Sequence, residues 1–181
     1  YGDKLGLAVK WAVENNVSLT YTHLPRANLS VANLRRINFS GANLHGAKMR
    51  GVNLSGADLE RADLSRSDLS GANLSVAQLS ETRMVGADLS GADLSSAYMF
   101  GPDLSRANLS GANLHQTNLS RATLARANLD RANLSGATIN GVNGANDYIK
   151  CVQLEEYPIA YTDTILQIGC ERHAIVEWAA F

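Results

Sequence analysis

Every fifth residue of this chain, from Leu19 to Ile139, is large and apolar. These 25 positions, called centres below, hold 20 leucines, and the other five are Phe39, Met49, Met84, Met99 and Ile139. Two residues before each centre lies a second column, which is Ala at 17 of its 25 positions. Residues 17–141 therefore read as 25 consecutive five-residue units with the consensus Ala-(Asn/Asp)-Leu-Ser-(Gly/Arg).

A period of five residues fits neither a straight helix nor a straight strand. On a helix, at about 100° per residue, successive centres would wind around every face. On a strand, an odd period would point successive centres to opposite faces. The centres share one environment only if the chain turns a corner in each unit, and Gly, Ser, Asn and Asp are common turn residues. We therefore expect stacked coils with the centres and the Ala column inside and the other three residues outside.

Runs such as ANLHGAKMRGVNLSGADLERADLSRSDLSGANL, which spans residues 42–74, resemble the pentapeptide-repeat family. The resemblance covers about two thirds of the chain. It implies an all-β solenoid, a right-handed quadrilateral β-helix with four units per turn. The rod would then have a little over six turns and a length of about 30 Å. Its structural core would include Leu54, Leu59, Leu64, Leu69, Leu74, Leu89, Leu94, Leu104, Leu109 and Leu114.

The open end of a solenoid exposes ladder groups and apolar side chains, so both ends need covers. Residues 1–16 are predicted to form an N-terminal capping helix. Within residues 3–16 a helical spacing puts five apolar residues on one face, with Trp11 off that face. These residues are Leu5, Ala8, Val9, Ala12 and Val13.

Residues 142–181 are predicted to form a small C-terminal α+β module, and the chain is expected to continue beyond Phe181. The five-residue rule is gone after Asn146. Residues 147–155 and 157–170 have strand character, and a helix is expected to begin at Glu171. The tail looks like a module of some phage and bacterial pentapeptide proteins.

Charge and cysteine content give no direction toward a metal, a membrane or nucleic acid. The net charge is −1, and residues 17–141 are mildly basic, with 12 Lys and Arg against 9 Asp and Glu. Cys151 and Cys170 are predicted to be reduced, buried thiols, because they form no Cys-x-x-Cys pair. No long apolar run and no signal-peptide pattern occurs, so a soluble protein of the cytoplasm, or of the virion if phage-encoded, is expected.

The sequence offers no recognisable catalytic constellation, and no catalytic residue, metal site or cofactor is predicted. His23, His45, His115 and His173 are dispersed, and no pairing of a nucleophile with a base emerges. The Asn and Asp residues that precede the centres are expected to form hydrogen-bond ladders. A calcium-binding role is the alternative, but the Gly-Gly-x-Gly-x-Asp repeat is absent.

A column of basic residues is predicted along one corner of the rod, since residues 20 apart should stack. It contains Arg26, Arg66, Arg106 and Arg126, separated by Gly46 and Gly86. This ridge could bind phosphates or an acidic partner. The alternative is a solvated edge, because Asp58, Asp63, Asp68 and Asp103 lie nearby.

The outward consensus is broken by Tyr98, Phe100 and Val85. Tyr98 and Phe100 flank the inward Met99, so both are expected to stand in water on one side, with Val85 on the adjoining side. An exposed aromatic pair on a polar rod is typical of a partner-binding hot spot. Chance surface aromatics, or contact with a tail that folds back, are the alternatives.

The leading functional hypothesis is a non-enzymatic scaffold, a rigid rod that presents flat sides to a protein partner or to another copy of itself. The family resemblance supplies an alternative, a DNA mimic that binds gyrase and protects it from quinolones or toxins. Mimicry calls for a strongly acidic surface, which the mildly basic coil does not offer. A third hypothesis, an enzyme that uses the tail and residues beyond Phe181, has no motif in its favour.

Overall fold

The computed structural model describes residues 2–15, 17–139, 141–143, 165–168 and 171–174. It contains a helix α1 (Gly2–Glu14) and a hairpin of β1 (Ile165–Ile168) and β2 (Glu171–Ala174). Between them lies a coil that is held together by isolated parallel β-bridges.

The coil repeats every 20 residues, which is four units per turn. Each residue before a centre pairs in parallel with the residue 20 positions later, from His23 with Asn43 to Thr123 with Asn143. The bonds are short; Leu54 N, for example, donates to Asn73 O at 2.7 Å. We number the four sides by the first centre that each carries: Leu19 for side one, Leu24 for side two, Leu29 for side three and Leu34 for side four. Sides one and three are thus opposite.

A tight turn closes each corner. The amide of Ala57 donates to Leu54 O at 2.9 Å, and between them Gly56 has a φ of 67°. This geometry is that of a type II β-turn, whose third residue requires a positive φ. Every fifth residue from Tyr21 to Gly141 has such a φ, and 14 of these residues are not glycine. The turn recurs in each unit and gives the rod its four sides.

The inside of the rod is a single column of apolar side chains. The ten leucines expected in the core are all at 0% exposure. Four hydroxyl residues replace Ala at the inward column, and each donates to a carbonyl: Thr22 to Leu19, Ser67 to Leu64, Thr82 to Leu59 and Thr117 to Leu94. Small inward side chains therefore let four apolar sides meet in a narrow tube.

The inward prediction is wrong or incomplete near the ends of the rod. Val17 is 45% exposed, and Ala137 and Ile139 are only half-buried. These residues lie in the first and last units, where a neighbouring turn covers them on one side only. Ile37, in the second turn, is also half-buried.

Helix α1 packs on the first turn of the rod. Val9 and Ala12 are buried in the same apolar cluster as the centres. Gly6 lies so close to the carbonyl of Asn28 that a Cβ there would clash with it. The helix ends two residues before the predicted boundary, and the side-chain amide of Asn15 binds Trp11 O at 2.8 Å.

The predicted inner face of α1 is only partly right. Ala8 is exposed, so its assignment to that face was wrong. Val9, Ala12 and Val13 do pack toward the rod. Contact with the rod selects a narrower stripe than helical spacing alone indicates. The side chain of Leu5 lies outside the described residues.

The hairpin β1–β2 is antiparallel, and Ile165 pairs with Ala174. Strand β1 lies in the segment predicted to be extended, but the helix expected from Glu171 is wrong at residues 171–174, which form β2. Pairing with the adjacent Ile-Leu-Gln-Ile strand satisfies the backbone of Glu171–Ala174, and this overrides their modest helical preference. The predicted strand at 147–155, Cys151 and Cys170 lie outside the described residues.

Candidate functional site

The aromatic pair Tyr98 and Phe100 breaks the polar pattern of the two outward columns of side one. Tyr98 is 44% exposed. Phe100 is half-buried, so the prediction that both rings stand in water is wrong for Phe100. The reason is Arg121, whose guanidinium carbon lies 5.3 Å from the centroid of the Phe100 ring. That distance is typical of a cation–π contact.

The backbone ladder holds this cluster of Tyr98, Phe100 and Arg121 in place. Tyr98 N donates to Ala77 O at 2.9 Å, and Phe100 O accepts from Glu81 N at 2.9 Å. Gly101 leaves open space beside the rings, since no heavy atom lies within 4 Å of a Cβ placed there. The backbone of this cluster is therefore held in place, and we call its two rings and one cation the ledge.

Sequence reasoning missed Arg121, although the signal was available. Arg121 lies one turn of 20 residues after Gly101, which follows Phe100, and both occupy the same corner of the rod. A large side chain at a corner extends along the rod axis and covers the adjacent turn. The 20-residue column would have placed Arg121 beside Phe100.

Val85 is not brought into this cluster. It is half-buried on side two, and the bridged pair Arg83 and Asp103 forms the column between it and the corner at Gly101. Val85 O accepts from Arg66 N at 3.0 Å. Val85 therefore lies on the side that adjoins side one, as predicted, and is separated from the two aromatic rings.

The predicted arginine ridge lies along one corner, and its four members are all exposed. They are Arg26, Arg66, Arg106 and Arg126. Their φ values are 58–60°. The stem of Arg26 covers Gly46, with its Cγ 3.5 Å from a Cβ placed there. Within the described part of the chain no ion pair engages these guanidinium groups. Gly46 and Gly86 separate the first three arginines of the ridge, whereas Arg106 and Arg126 lie in consecutive turns.

The Asn and Asp residues before the centres act as local acceptors. Asn73 Oδ1, for example, accepts from Ser75 N at 3.0 Å and from Ser75 Oγ at 2.7 Å. Links between turns join Asn113 to Asp93 and Asn133 to Asn113. These side chains therefore stabilise the turns and the stack. No group of three or more potential metal ligands occurs among the residues that the structure describes.

One Ser–His contact was not foreseen. His115 Nδ1 lies 2.8 Å from Ser135 Oγ in the next turn. Ser135 Oγ already donates its single hydrogen to Asn133 Oδ1 at 2.8 Å. The imidazole must then donate to the hydroxyl and cannot accept its proton, which is the reverse of an activated nucleophile. The contact belongs to the side-chain ladder.

Two charged groups on sides one and two have perturbed pKa values. The hydrogen bond from Arg61 to Glu81, at 2.8 Å, raises the pKa of the exposed Arg61 guanidinium. Burial acts to raise the pKa of Asp63. The interaction with Ser65, whose amide donates to Asp63 Oδ1 at 2.9 Å, and the charges of Arg83 and His45 outweigh it, so this pKa lies below its usual value.

Within the described part of the chain, no helix has the length and apolar character that a bilayer crossing requires.

No curated protein sequence matches the chain. Among solved structures, HetL, involved in regulating heterocyst differentiation in the cyanobacterium Nostoc sp. strain PCC 7120, is 30% identical, with 75% of this chain and 76% of that chain covered and a TM-score of 0.35. Alr5209 from Nostoc PCC 7120 is 27% identical, with 76% and 92% covered and a TM-score of 0.34.

QnrB1, a plasmid-mediated fluoroquinolone resistance protein, is 19% identical, with 77% and 92% covered and a TM-score of 0.29. The family described as pentapeptide repeats matches in eight copies, over residues 15–51, 37–75, 57–95, 72–116 and 103–141. The resemblance drawn from the repeat is thereby confirmed: the chain belongs to the pentapeptide-repeat family, whose members form right-handed quadrilateral β-helices.

Proposed function

We propose that the protein is a non-enzymatic scaffold that presents side one to a protein partner, in the bacterial cytoplasm or in a phage particle. The observation that carries this proposal is the ledge of Tyr98, Phe100 and Arg121. Tyr, Trp and Arg are the residue types most enriched in binding hot spots. The ledge offers a partner apolar area, a hydroxyl and a cation on two adjacent turns.

Rigidity favours binding at this ledge. The backbone beneath it is fixed by hydrogen bonds to the turns on both sides, so little conformational entropy is lost on association. Short polar residues surround it, with Ser80 and Ser120 in the turns on either side of Phe100. Such a setting matches a packed hot spot with a polar rim.

The absence of an enzymatic role is also proposed. The outward Asn, Asp and Ser side chains serve the turns and ladders, and the one Ser–His contact has the wrong donor for catalysis. The fold itself does not determine a function, which depends on the side chains placed on it.

The double variant Tyr98→Ser with Phe100→Ser tests the proposal. Serine already occupies the outward position at Ser80 and Ser120, so the fold should tolerate the change. We expect loss of a hot spot to weaken partner binding by about 2 kcal/mol or more, roughly 30-fold. The measurement is quantitative capture from lysates of wild type and variant, followed by titration of the captured protein.

The control variant is Gln78→Ser, which alters the exposed residue one turn before Tyr98 in the same column. It should bind as the wild type does. Equal binding by all three proteins would rule out the ledge as the partner site.

The DNA-mimic alternative draws on a different set of side chains. Residues 56–103 carry eight carboxylates and three arginines, which gives this middle segment a negative charge that the coil as a whole lacks. If the rod inhibits gyrase supercoiling, mimicry requires that inhibition survive the aromatic double variant. It should then be lost when aspartates of the segment become Asn, with a steep dependence on salt. Those aspartates are Asp58, Asp63, Asp68, Asp88 and Asp93. Inhibition with that dependence would replace the scaffold proposal.

A further inference from the structure

Charge is segregated along the rod axis. Residues 17–55 contain five Lys and Arg and no Asp or Glu. Residues 56–103 contain eight Asp and Glu and three Arg, and residues 104–141 contain four Arg and one Asp. The first two turns are therefore basic and the next two to three are acidic.

Side three shows this segregation in its outward columns from the second to the fourth turn. Its first outward column runs Asn28, Lys48, Asp68, Asp88, Asn108 and Asn128, in which each residue is bridged to the next. Its second outward column holds Arg50 beside Lys48, and Ser70 and Ser90 beside the two aspartates. Two cations in the second turn thus lie next to two carboxylates in the third and fourth turns.

These charges have no ion-pair partner within the described chain. The ion pairs found there both involve Arg61, away from side three. Asp68 uses Oδ1 to accept from Ser70 N at 3.1 Å and from Ser70 Oγ at 2.6 Å. Asp88 uses Oδ1 to accept from Ser90 N at 3.0 Å and from Asn108 Nδ2 at 3.1 Å. The second oxygen of each carboxylate remains available.

Few side-chain atoms project from the corner between sides three and four. It carries Gly51, Gly71, Gly91 and Gly111, and no heavy atom lies within 4 Å of a Cβ placed on the last three. The exceptions are Val31 in the first turn, which is 82% exposed, and the exposed Arg131 in the sixth turn. The corner between sides two and three carries the exposed Arg26 and Arg66, so a second flat surface can approach side three most closely along its glycine corner.

A two-fold axis selects one arrangement of two such surfaces. Suppose that the two-fold axis lies in the plane of the interface, perpendicular to the rod axis and between the second and third turns. The two copies are then antiparallel, and each column of one copy faces the same column of the other in reverse order. Lys48 then lies opposite Asp68 of the second copy, and Val31 lies opposite the open space at Gly91 of the second copy. A parallel pair would instead place Lys48 opposite Arg50.

We propose that side three is a self-complementary surface that pairs with a second copy of this chain in antiparallel orientation. The contact is isologous, as in most symmetric dimers. Because sides one and three are opposite, the ledge of Tyr98, Phe100 and Arg121 lies on both outer surfaces of the pair. The dimer rests on side three alone and stands or falls independently of the proposed partner site.

Charge reversal tests the pairing. We expect the wild type to dimerise at about 50 mM salt and to dissociate at about 500 mM, where surface charges are screened. The variants Lys48→Glu with Arg50→Glu, and Asp68→Lys with Asp88→Lys, should each weaken the dimer about tenfold or more. Lys48 already occupies the position equivalent to Asp68, so lysine is compatible with the fold there. Sedimentation velocity measures each mass.

Mixing the two charge-reversed variants is the decisive measurement. Each alone repels its own copy, but together they place Glu against Lys and should restore the dimer. Arg106→Glu with Arg126→Glu, in the fifth and sixth turns beyond the four that pair, and the aromatic double variant should dimerise like the wild type. A wild type that stays monomeric at low salt, or a mixture that stays monomeric, overturns the proposal.

Register is tested by zero-length carbodiimide coupling of amines to carboxylates in a mixture of ¹⁴N and ¹⁵N protein. The antiparallel pair predicts a cross-linked peptide that joins Lys48 of one isotope to Asp68 of the other. Recovery of this link only within single copies would exclude the arrangement.

Discussion

The corner residue of each unit carries the backbone conformation that bends the chain. Glycine enters the left-handed region freely, but Val31 and Val76 have φ values of 53° and 52°. For an L-residue this conformation costs about 1–2 kcal/mol. Large corner side chains often cover a glycine one turn later: Gln116 Cγ lies 3.2 Å from a Cβ placed on Gly136. Contact along the rod axis thus offsets part of the conformational strain.

Asp63 links the stability of the rod to pH. Its pKa is lowered in the folded state, so its favourable contribution is present above the unfolded pKa of about 3.9 and is lost as pH falls through the folded value. Asp63→Asn removes this contribution. We expect the wild type to melt above the variant at pH 6 and the difference to shrink as pH falls toward 2.5. A difference in Tm that stays constant over this range would contradict the assignment.

The open end of the repeat determines which residues of helix α1 are buried. The open rim of the first turn presents apolar centres, and α1 covers them with Val9 and Ala12. Leu7, two residues before Val9, is 66% exposed. Position relative to the rim, not hydrophobicity, therefore decides which of these residues matters for stability.

The matched pair Val9→Ser and Leu7→Ser measures this contribution. Val9→Ser removes a buried apolar side chain and should cost about 1.5–3 kcal/mol. Leu7→Ser should lie within about 0.5 kcal/mol of the wild type, as for other exposed positions. Urea denaturation gives both values, and amide exchange at Tyr21, which donates to Ser40 O, reports on the first turn. Equal losses would mean that α1 does not cap the rod.

For the molecule as a whole, the repeat allowed the four-sided coil and its core to be predicted, because period and burial are local properties of each unit. Non-repetitive features were less accessible. Neither the stacking of Arg121 on Phe100 nor the exposure of Ala8 follows from residue type, and both depend on what packs beside the residue. The strand at Glu171–Ala174 depends on a pairing partner in the same way. The two aromatic residues could be predicted because they depart from the repeat consensus, whereas Arg121 could be assigned to them only from the stacking of turns.

The hydrogen-bonded ladder sets the width of the rod and limits how its sides can adapt to a substitution in the core. Leu74, with Leu54 and Leu94 in adjacent turns, is at 0% exposure. The sides cannot move inward to fill a void without breaking the ladder bonds that join neighbouring turns, among them Leu74 N to Asp93 O at 2.7 Å. Leu74→Ala should therefore cost about 2–5 kcal/mol.

The outward neighbour provides the comparison for that change. Ser75→Ala loses only the hydrogen bond of its partly buried hydroxyl to Asn73 Oδ1, and we expect a cost of about 1 kcal/mol or less. Because each turn contacts only its neighbours, the loss at Leu74 should also speed amide exchange at Leu54 and Leu94 before distant turns respond. Thermal and urea unfolding of both variants, with exchange read residue by residue, provide the measurement. Similar stabilities for Leu74→Ala and Ser75→Ala would contradict the packing of the rod around its centres.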